Sequence, residues 1–320
     1  MLLGFDEVAA RINKGEVLHI AGSESILKKL PKGNWIGGST EYFMAQEGGK
    51  VSDEVLFVTA LPYIEYKIDV YDVASIPNVA VDAYGNGFTI LIVPYDSEVH
   101  KIYAEQAAEY KDMFIKIVAG WISGINLDKA DQTPIAVNGA TGEAFADKAV
   151  ALHLALPEDD SVNISLVNIF QPDPASPLIT FEEEGFSVKD CLVDGKKVNL
   201  AKYIADNGID TKLPLIGDYS GSGVNISFKT IEDDTVNLYA PVFDGIEYRL
   251  ASSIPDYEKA FNEHIRKLKE EKVVFSCNCI LNFIYGGLEG KNIDTFTGPI
   301  TFGEIAYLLV NQTLVYVTIH

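Results

Sequence analysis

Val273-Val274-Phe275-Ser276-Cys277-Asn278-Cys279, Gly298-Pro299-Ile300-Thr301-Phe302-Gly303-Glu304-Ile305 and Asn311-Gln312-Thr313-Leu314-Val315-Tyr316-Val317-Thr318-Ile319 dominate the last fifty residues of this chain. They spell an apolar strand, a Gly-rich connection, a Gly-Glu turn and a second apolar strand. Runs this continuously apolar belong to strands covered on both faces, which requires neighbouring layers.

The same order is written twice more upstream. Each copy has a strand, a crossover with some helix, a second strand ending in a Gly/Thr turn, a Glu, and a strongly apolar closing strand. The three Glu are Glu41, Glu143 and Glu304, and the closing strands fall at 55–61, 149–156 and 314–319. Recurrence in a fixed order argues against chance likeness between apolar runs. The expected fold class is therefore α/β, with mixed sheets flanked by helices.

Around these copies the pattern is less regular. Apolar spacing predicts helices over 5–14, from a Ser23 cap to 30, over 97–110, at 201–207 and over 257–272. Further strands are expected at 17–21, 63–73, 88–93, 113–118 and 162–170, with shorter ones at 224–228 and 236–239. A chain of 320 residues exceeds the usual single core, so two related halves are expected, 1–160 and 161–320.

Composition narrows the function. Asp and Glu outnumber Lys and Arg by 46 to 25, a formal net charge of -21, which repels phosphate backbones and anionic headgroups. Nucleic acid and membrane surfaces are thus set aside as partners. The three cysteines build no disulfide framework, and Cys277-Asn278-Cys279 lacks the second pair or nearby His of a zinc site. The opening Met-Leu-Leu-Gly-Phe-Asp-Glu-Val is not that of a signal peptide, and no stretch is long and apolar enough to span a bilayer, so a cytoplasmic protein is expected.

Several of these segments resemble those of FIST proteins, intracellular signal-transduction domains that sense small ligands. Phe275-Ser276-Cys277, Gly303-Glu304-Ile305 and Asn311-Gln312-Thr313 are similar to the family's C-terminal elements. Asp194-Gly195-Lys196, Asp244-Gly245-Ile246-Glu247-Tyr248-Arg249-Leu250 and Ile36-Gly37-Gly38-Ser39-Thr40 resemble its upstream turns. The order of these short motifs spans nearly the whole chain. Where the family has Gly-Arg after its Phe-Ser-Cys element, this chain has Cys279 and Ile280. The resemblance implies FIST-N-like and FIST-C-like halves, a ligand-sensing role, and a signal passed to a separate protein partner.

The candidate ligand-binding residues are Gly38, Ser39, Thr40, Glu41, Thr141, Glu143, Cys277, Asn278, Gly303 and Glu304. Free N–H groups at such turns can hold an anion, and the carboxylates can receive an amine. Equally, Thr and Glu at these positions can act as caps for the segments that follow. Only convergence of the turns on one cleft would separate a site from a set of caps.

Cys277 is the candidate nucleophile of a hydrolase or transferase, and His19 and His153 are its candidate bases. Both histidines lie in apolar strands, where a bonded core imidazole is the commoner outcome. Haem would need an axial His in an apolar pocket, which no segment marks; the Gly-rich turns match neither nucleotide fingerprint, and no cofactor or metal is expected. The leading expectation is non-catalytic sensing of a small polar metabolite, an amino acid among the candidates. The alternatives are cysteine chemistry at Cys277 and a purely structural or interaction role.

Overall fold

Leu18–Gly22 shows how each copy is assembled. In the computed structural model this strand runs parallel to Trp35–Ser39, after the short helix Glu24–Leu27, and antiparallel to the closing strand Leu56–Ala60. Copy 2 repeats the plan. Gly87–Pro94 pairs parallel with Ile117–Ser123 across the helix Glu98–Gln106, and antiparallel with Ala149–Ala155. Copy 3 does so again, with Val273–Cys279 beside Gly298–Thr301 and Leu314–Ile319, and Ile280–Tyr285 as the crossover helix. The structure describes residues 1–61, 65–129, 131–219, 221–265, 272–293 and 296–320.

Between its second and closing strands each copy sends a hairpin onto another copy's sheet. Tyr42–Ala45 of copy 1 pairs with Gly298–Thr301, Ala136–Asn138 of copy 2 pairs with Trp35–Ser39, and Glu304–Ala306 of copy 3 pairs with Ile117–Ser123. The exchange is cyclic, and it yields three six-stranded sheets. Every sheet therefore needs strands from two copies, a requirement that ties the copies into one core.

Large and small residues alternate at matching positions of that core. Ala21 faces Gly38 in copy 1, Ile92 faces Trp121 in copy 2, and Asn278 faces Ile300 in copy 3. A methyl on Gly38 would sit 2.6 Å from the Trp121 ring and 2.7 Å from Ile92, so the absent side chain makes room for the indole. Val8 and Ile12, from the helix Phe5–Asn13, pack with Leu18, Ile20, Trp35, Leu56 and Val58. Burying each such aliphatic side chain contributes roughly 1.5–3 kcal/mol.

Two compact units result. Unit 1 comprises Met1–Val167, His264–Leu309 and Thr313–His320 and holds all three copies; unit 2 comprises Asn168–Glu263 and Val310–Gln312. The division drawn from sequence at residue 160 thus falls inside unit 1, just before Val162–Val167, which pairs with Leu314–Ile319. The repeat runs in thirds of unit 1, and unit 2 is inserted within the third.

Unit 2 has a six-stranded sheet, in the order Lys196–Asn199, Asp190–Val193, Ile179–Thr180, Tyr248–Leu250, Leu215–Tyr219, Ser222–Ile226, and a three-stranded sheet centred on Thr235–Val242. Its helix Leu200–Asn207 starts where the Asn199 side chain accepts from the Lys202 N–H and stops at Gly208 in the left-handed region, φ 59°.

Some local expectations shift. The strand expected at 113–118 begins only at Ile117 and runs to Ser123. Asp112, at φ 64°, starts a turn in which its carbonyl accepts from the Ile115 and Lys116 N–H groups, leaving Phe114 and Ile115 exposed. The connection after Cys279 contains a helix that its composition did not suggest. Of the helix expected over 257–272, Tyr257–Ile265 is present and 266–271 lie outside the described residues; likewise 63–64 of the strand expected at 63–73.

Candidate functional site

Ser39, Thr40 and Glu41 lie where the second strand of copy 1 passes into its exchanged hairpin. All three are buried, together with Gly38. The Ser39 hydroxyl donates to the Gly124 carbonyl and accepts from the Ile135 N–H, while Thr40 Oγ1 donates to the Ile300 carbonyl at 2.8 Å. Glu41 accepts from Asn126 Nδ2 at 2.6 Å, Gln132 Nε2 at 2.6 Å and Lys129 Nζ at 2.9 Å, and Lys129 also reaches Asp53 at 2.8 Å. Burial alone would raise the Glu41 pKa, but the three donors outweigh it and hold the carboxyl below its ordinary value. The space beside this group has about 10 Å³, room for one water. Glu41 is a fastener for the loop that follows Ser123.

Glu304 is held by different means. It is fully buried at the start of the exchanged strand of copy 3, opposite Trp121. Thr313 donates to Oε2 through its hydroxyl at 2.8 Å and its N–H at 3.3 Å. The Thr301 hydroxyl stands 2.9 Å from Oε1 and 3.2 Å from the Asn278 carbonyl. One hydroxyl proton cannot serve both acceptors. A neutral Glu304 resolves this: its own proton goes to Thr301 Oγ1, and Thr301 donates onward to Asn278. Burial agrees, pushing the Glu304 pKa up to about 8 even against the hydrogen bonds from Thr313.

Register separates the three carboxylates. Glu304 faces Trp121 as Ala136 faces Gly38, whereas Glu41 precedes the corresponding strand of copy 1 by one residue. Glu143 is on the return strand Glu143–Phe145 of the copy 2 hairpin, and Thr141 is at its tip, both exposed. The three turns therefore do not meet at one cleft. The copies are equivalent in topology, but the Glu that marked each in sequence stands at three different places. The copy 2 counterpart of Ser39-Thr40 is Ile122-Ser123, which has no Gly/Thr-Glu signal.

Cys277 is buried, with its thiol donating to the Gly120 carbonyl at 3.4 Å. Burial, then the neighbouring Glu304 and Cys279, pushes its pKa well above that of a free thiol. Neither expected base bonds the thiol: His153 bonds Thr89 and Tyr71, and His19 accepts from the Trp121 indole. Burial lowers the pKa of His19 to about 3 and of His153 to about 4, so both are neutral core imidazoles at pH 7. Asn278 accepts from Asn282 Nδ2, and among the described residues nothing bonds its own buried Nδ2. Gly303, at φ 151°, completes the junction into Glu304.

Convergent polar groups occur instead in unit 2, at residues the sequence reading did not name as ligand candidates. A pocket of about 420 Å³ opens on one face of its six-stranded sheet. Ile216 is the register partner of Arg249, Asp218 donates its N–H to the Glu247 carbonyl, and alternation puts Asp218, Glu247 and Arg249 on one face. Phe170, Leu178 and Ile216 supply an apolar wall, and Gly221 and Gly223 leave the rim open. The Arg249 guanidinium donates to the Ser176 carbonyl, and among the described residues no ion pair joins it to a carboxylate. Only the strand alternation around Glu247 and Arg249 could have flagged this group in advance.

Among the described residues no group of three or more His, Cys, Asp or Glu could hold a metal ion, and no helix is long and apolar enough to cross a membrane. The model of a family of unknown function, DUF6976, matches residues 3–320, and the chain belongs to that family. No curated protein matches the chain.

Proposed function

We propose that this member of a family of unknown function is a non-catalytic binding protein for a small polar metabolite, with α-amino acids as the ligand class. The observation that carries the reading is the unit 2 pocket, where one guanidinium and two carboxylates share a sheet face beside an apolar wall. A zwitterion complements both signs at once, its carboxylate on Arg249 and its ammonium between Asp218 and Glu247. Like charges facing one another across two strands destabilise the pair, and a bound ammonium relieves that repulsion. The volume falls within the range usual for small-molecule sites. The FIST likeness of the short motifs supports a sensing role, with the signal passed to a separate protein.

Isothermal titration and thermal shift of the full chain against a panel of amino acids test this reading. A ligand at a hundredfold its Kd adds roughly 2.7 kcal/mol to stability, enough to raise Tm by several degrees. Arg249→Gln is expected to abolish the shift. Absence of a shift with every amino acid, or an undiminished one in Arg249→Gln, would overturn the assignment.

A further inference from the structure

The pocket in unit 2 has polar groups beyond its three charged ones, and they lie on one side of its floor. Asn225 is the register partner of Ile216, and Gly223 that of Asp218, so the strand Ser222–Ile226 continues the face that carries Arg249. Asn225 is buried and meets Asn168, which lines the pocket. The two carboxamides bond each other reciprocally. Asn168 Nδ2 donates to Asn225 Oδ1 at 2.9 Å, and Asn225 Nδ2 donates to Asn168 Oδ1 at 3.1 Å.

Backbone groups fix which way round the pair lies. The Phe170 N–H donates to Asn168 Oδ1 at 2.9 Å, and Asn225 Nδ2 donates onward to the Asn311 carbonyl at 3.1 Å. Asn168 Oδ1 therefore already accepts two hydrogen bonds, which is its capacity. Its Nδ2 gives one hydrogen to Asn225, and among the described residues nothing accepts the other. Toward a ligand Asn168 is thus a donor only. On the sheet, Ile216 stands between Arg249 and Asn225. Gly223 leaves the space beside Ile216 open; a methyl there would stand 3.1 Å from Ile216 Cγ2.

We infer that the ligands this pocket prefers are α-amino acids with a side-chain carboxamide, glutamine and asparagine, whose terminal carbonyl accepts from Asn168 Nδ2. The inference rests on the amino-acid reading of the pocket and adds the side chain to it. With the α-carboxylate on Arg249 and the ammonium at Asp218 and Glu247, the side chain crosses Ile216 and ends at Asn168. Its carbons meet the apolar surface on the way. Three competing classes fit less well. Lysine and arginine end in groups that only donate, so they meet Asn168 donor to donor. A second carboxylate, as in glutamate, adds negative charge beside two carboxylates and one guanidinium. An aliphatic side chain covers Ile216 but leaves the Asn168 N–H without an acceptor once water is displaced.

Isothermal titration of the full chain with L-glutamine, L-asparagine, L-leucine, L-glutamate, L-lysine and glycine tests the inference. The tighter of glutamine and asparagine is expected to bind at least tenfold more tightly than leucine, glutamate or lysine. Asn168→Asp replaces the donor by an acceptor, so it should abolish that preference and make lysine the tightest of the six. Gly223→Val fills the space beside Ile216; it should weaken glutamine at least tenfold and leave glycine, which has no side chain, binding as before. This second variant decides the matter where Asn168→Asp fails to fold. Glutamine and asparagine no tighter than leucine or glutamate, the same preference retained in Asn168→Asp, or glutamine unaffected by Gly223→Val would each overturn the inference while the amino-acid reading stands. No binding of any amino acid would overturn that reading and this inference with it.

Discussion

The Trp121 indole donates to Nε2 of His19 across 2.8 Å, joining the second strand of copy 2 to the opening strand of copy 1. Phe275 of copy 3 meets the same imidazole edge-on, with ring centroids 5.2 Å apart. One buried ring thus touches a residue from each other copy. Trp121→Phe keeps an aromatic ring but strands a buried acceptor and shrinks the packing. It is expected to cost about 2–4 kcal/mol, read as a lower urea midpoint with unchanged m. A loss below about 0.5 kcal/mol would show that the bond does not help to hold the copies together.

Stability should carry two opposed pH dependences. The His19 pKa falls from the ordinary 6.5 to about 3, so the unfolded chain takes up the proton first on acidification. That contribution is intact above pH 6.5 and is lost as pH falls toward 3. The Glu304 pKa rises from 4.5 to about 8, so the unfolded chain releases its proton first on alkalinisation. Stability from that group is highest below pH 4.5 and declines as pH rises toward 8, then levels off. Glu304→Gln, neutral and nearly isosteric, should flatten the decline between pH 5 and 8, seen by chemical denaturation at several pH values. An unchanged slope in the variant would mean that Glu304 is ionised in the folded protein, contrary to the Thr301 proton count.

What could be read in advance follows from how locally each feature is encoded. Closing strands such as Leu314–Ile319 were legible because a run buried on both faces must be apolar throughout. The three-copy order was legible for the same reason, although Glu143 was matched to the wrong place. An Ala-Thr-Gly-Glu hairpin tip and a Thr-Glu strand junction look alike in sequence, and only pairing register tells them apart. The hairpin exchange was not legible, since it depends on contacts as distant as Phe43 with Pro299. Nor was the Arg249 pocket, whose members come from separate strands with no motif spacing.

Gly38 offers a sharper packing test than a truncation does. Gly38→Ala adds one methyl against Trp121 and Ile92 in a place with no room to yield, for an expected cost of about 1–3 kcal/mol. Gly195→Ala is the comparison. That glycine sits at φ 77° with nothing within 4 Å, so its cost reflects backbone conformation alone, about 1 kcal/mol. Combining Gly38→Ala with Trp121→Phe should recover part of the loss, because the smaller ring makes the space the methyl needs. Strict additivity in that double mutant would mean that the two residues do not compete for one volume.

Cys277 gives the cleanest separation of chemistry from architecture. Cys191, Cys277 and Cys279 are all buried thiols outside any disulfide, and the raised pKa of Cys277 leaves little thiolate at neutral pH. Iodoacetamide at pH 7.5 should therefore leave Cys277 unmodified over hours in the folded protein and modify it promptly in 6 M guanidinium. Peptide mapping by mass spectrometry identifies the site in each case. At intermediate denaturant the modification rate should follow the fraction unfolded, because access needs the core to open. Cys277→Ala removes one sulfur and a long bond to Gly120, so it should lower stability by about 1 kcal/mol and leave ligand binding in unit 2 unchanged. Fast alkylation of Cys277 without denaturant, with Cys279 spared, would instead mark an accessible and activated thiol and revive a cysteine-dependent reaction.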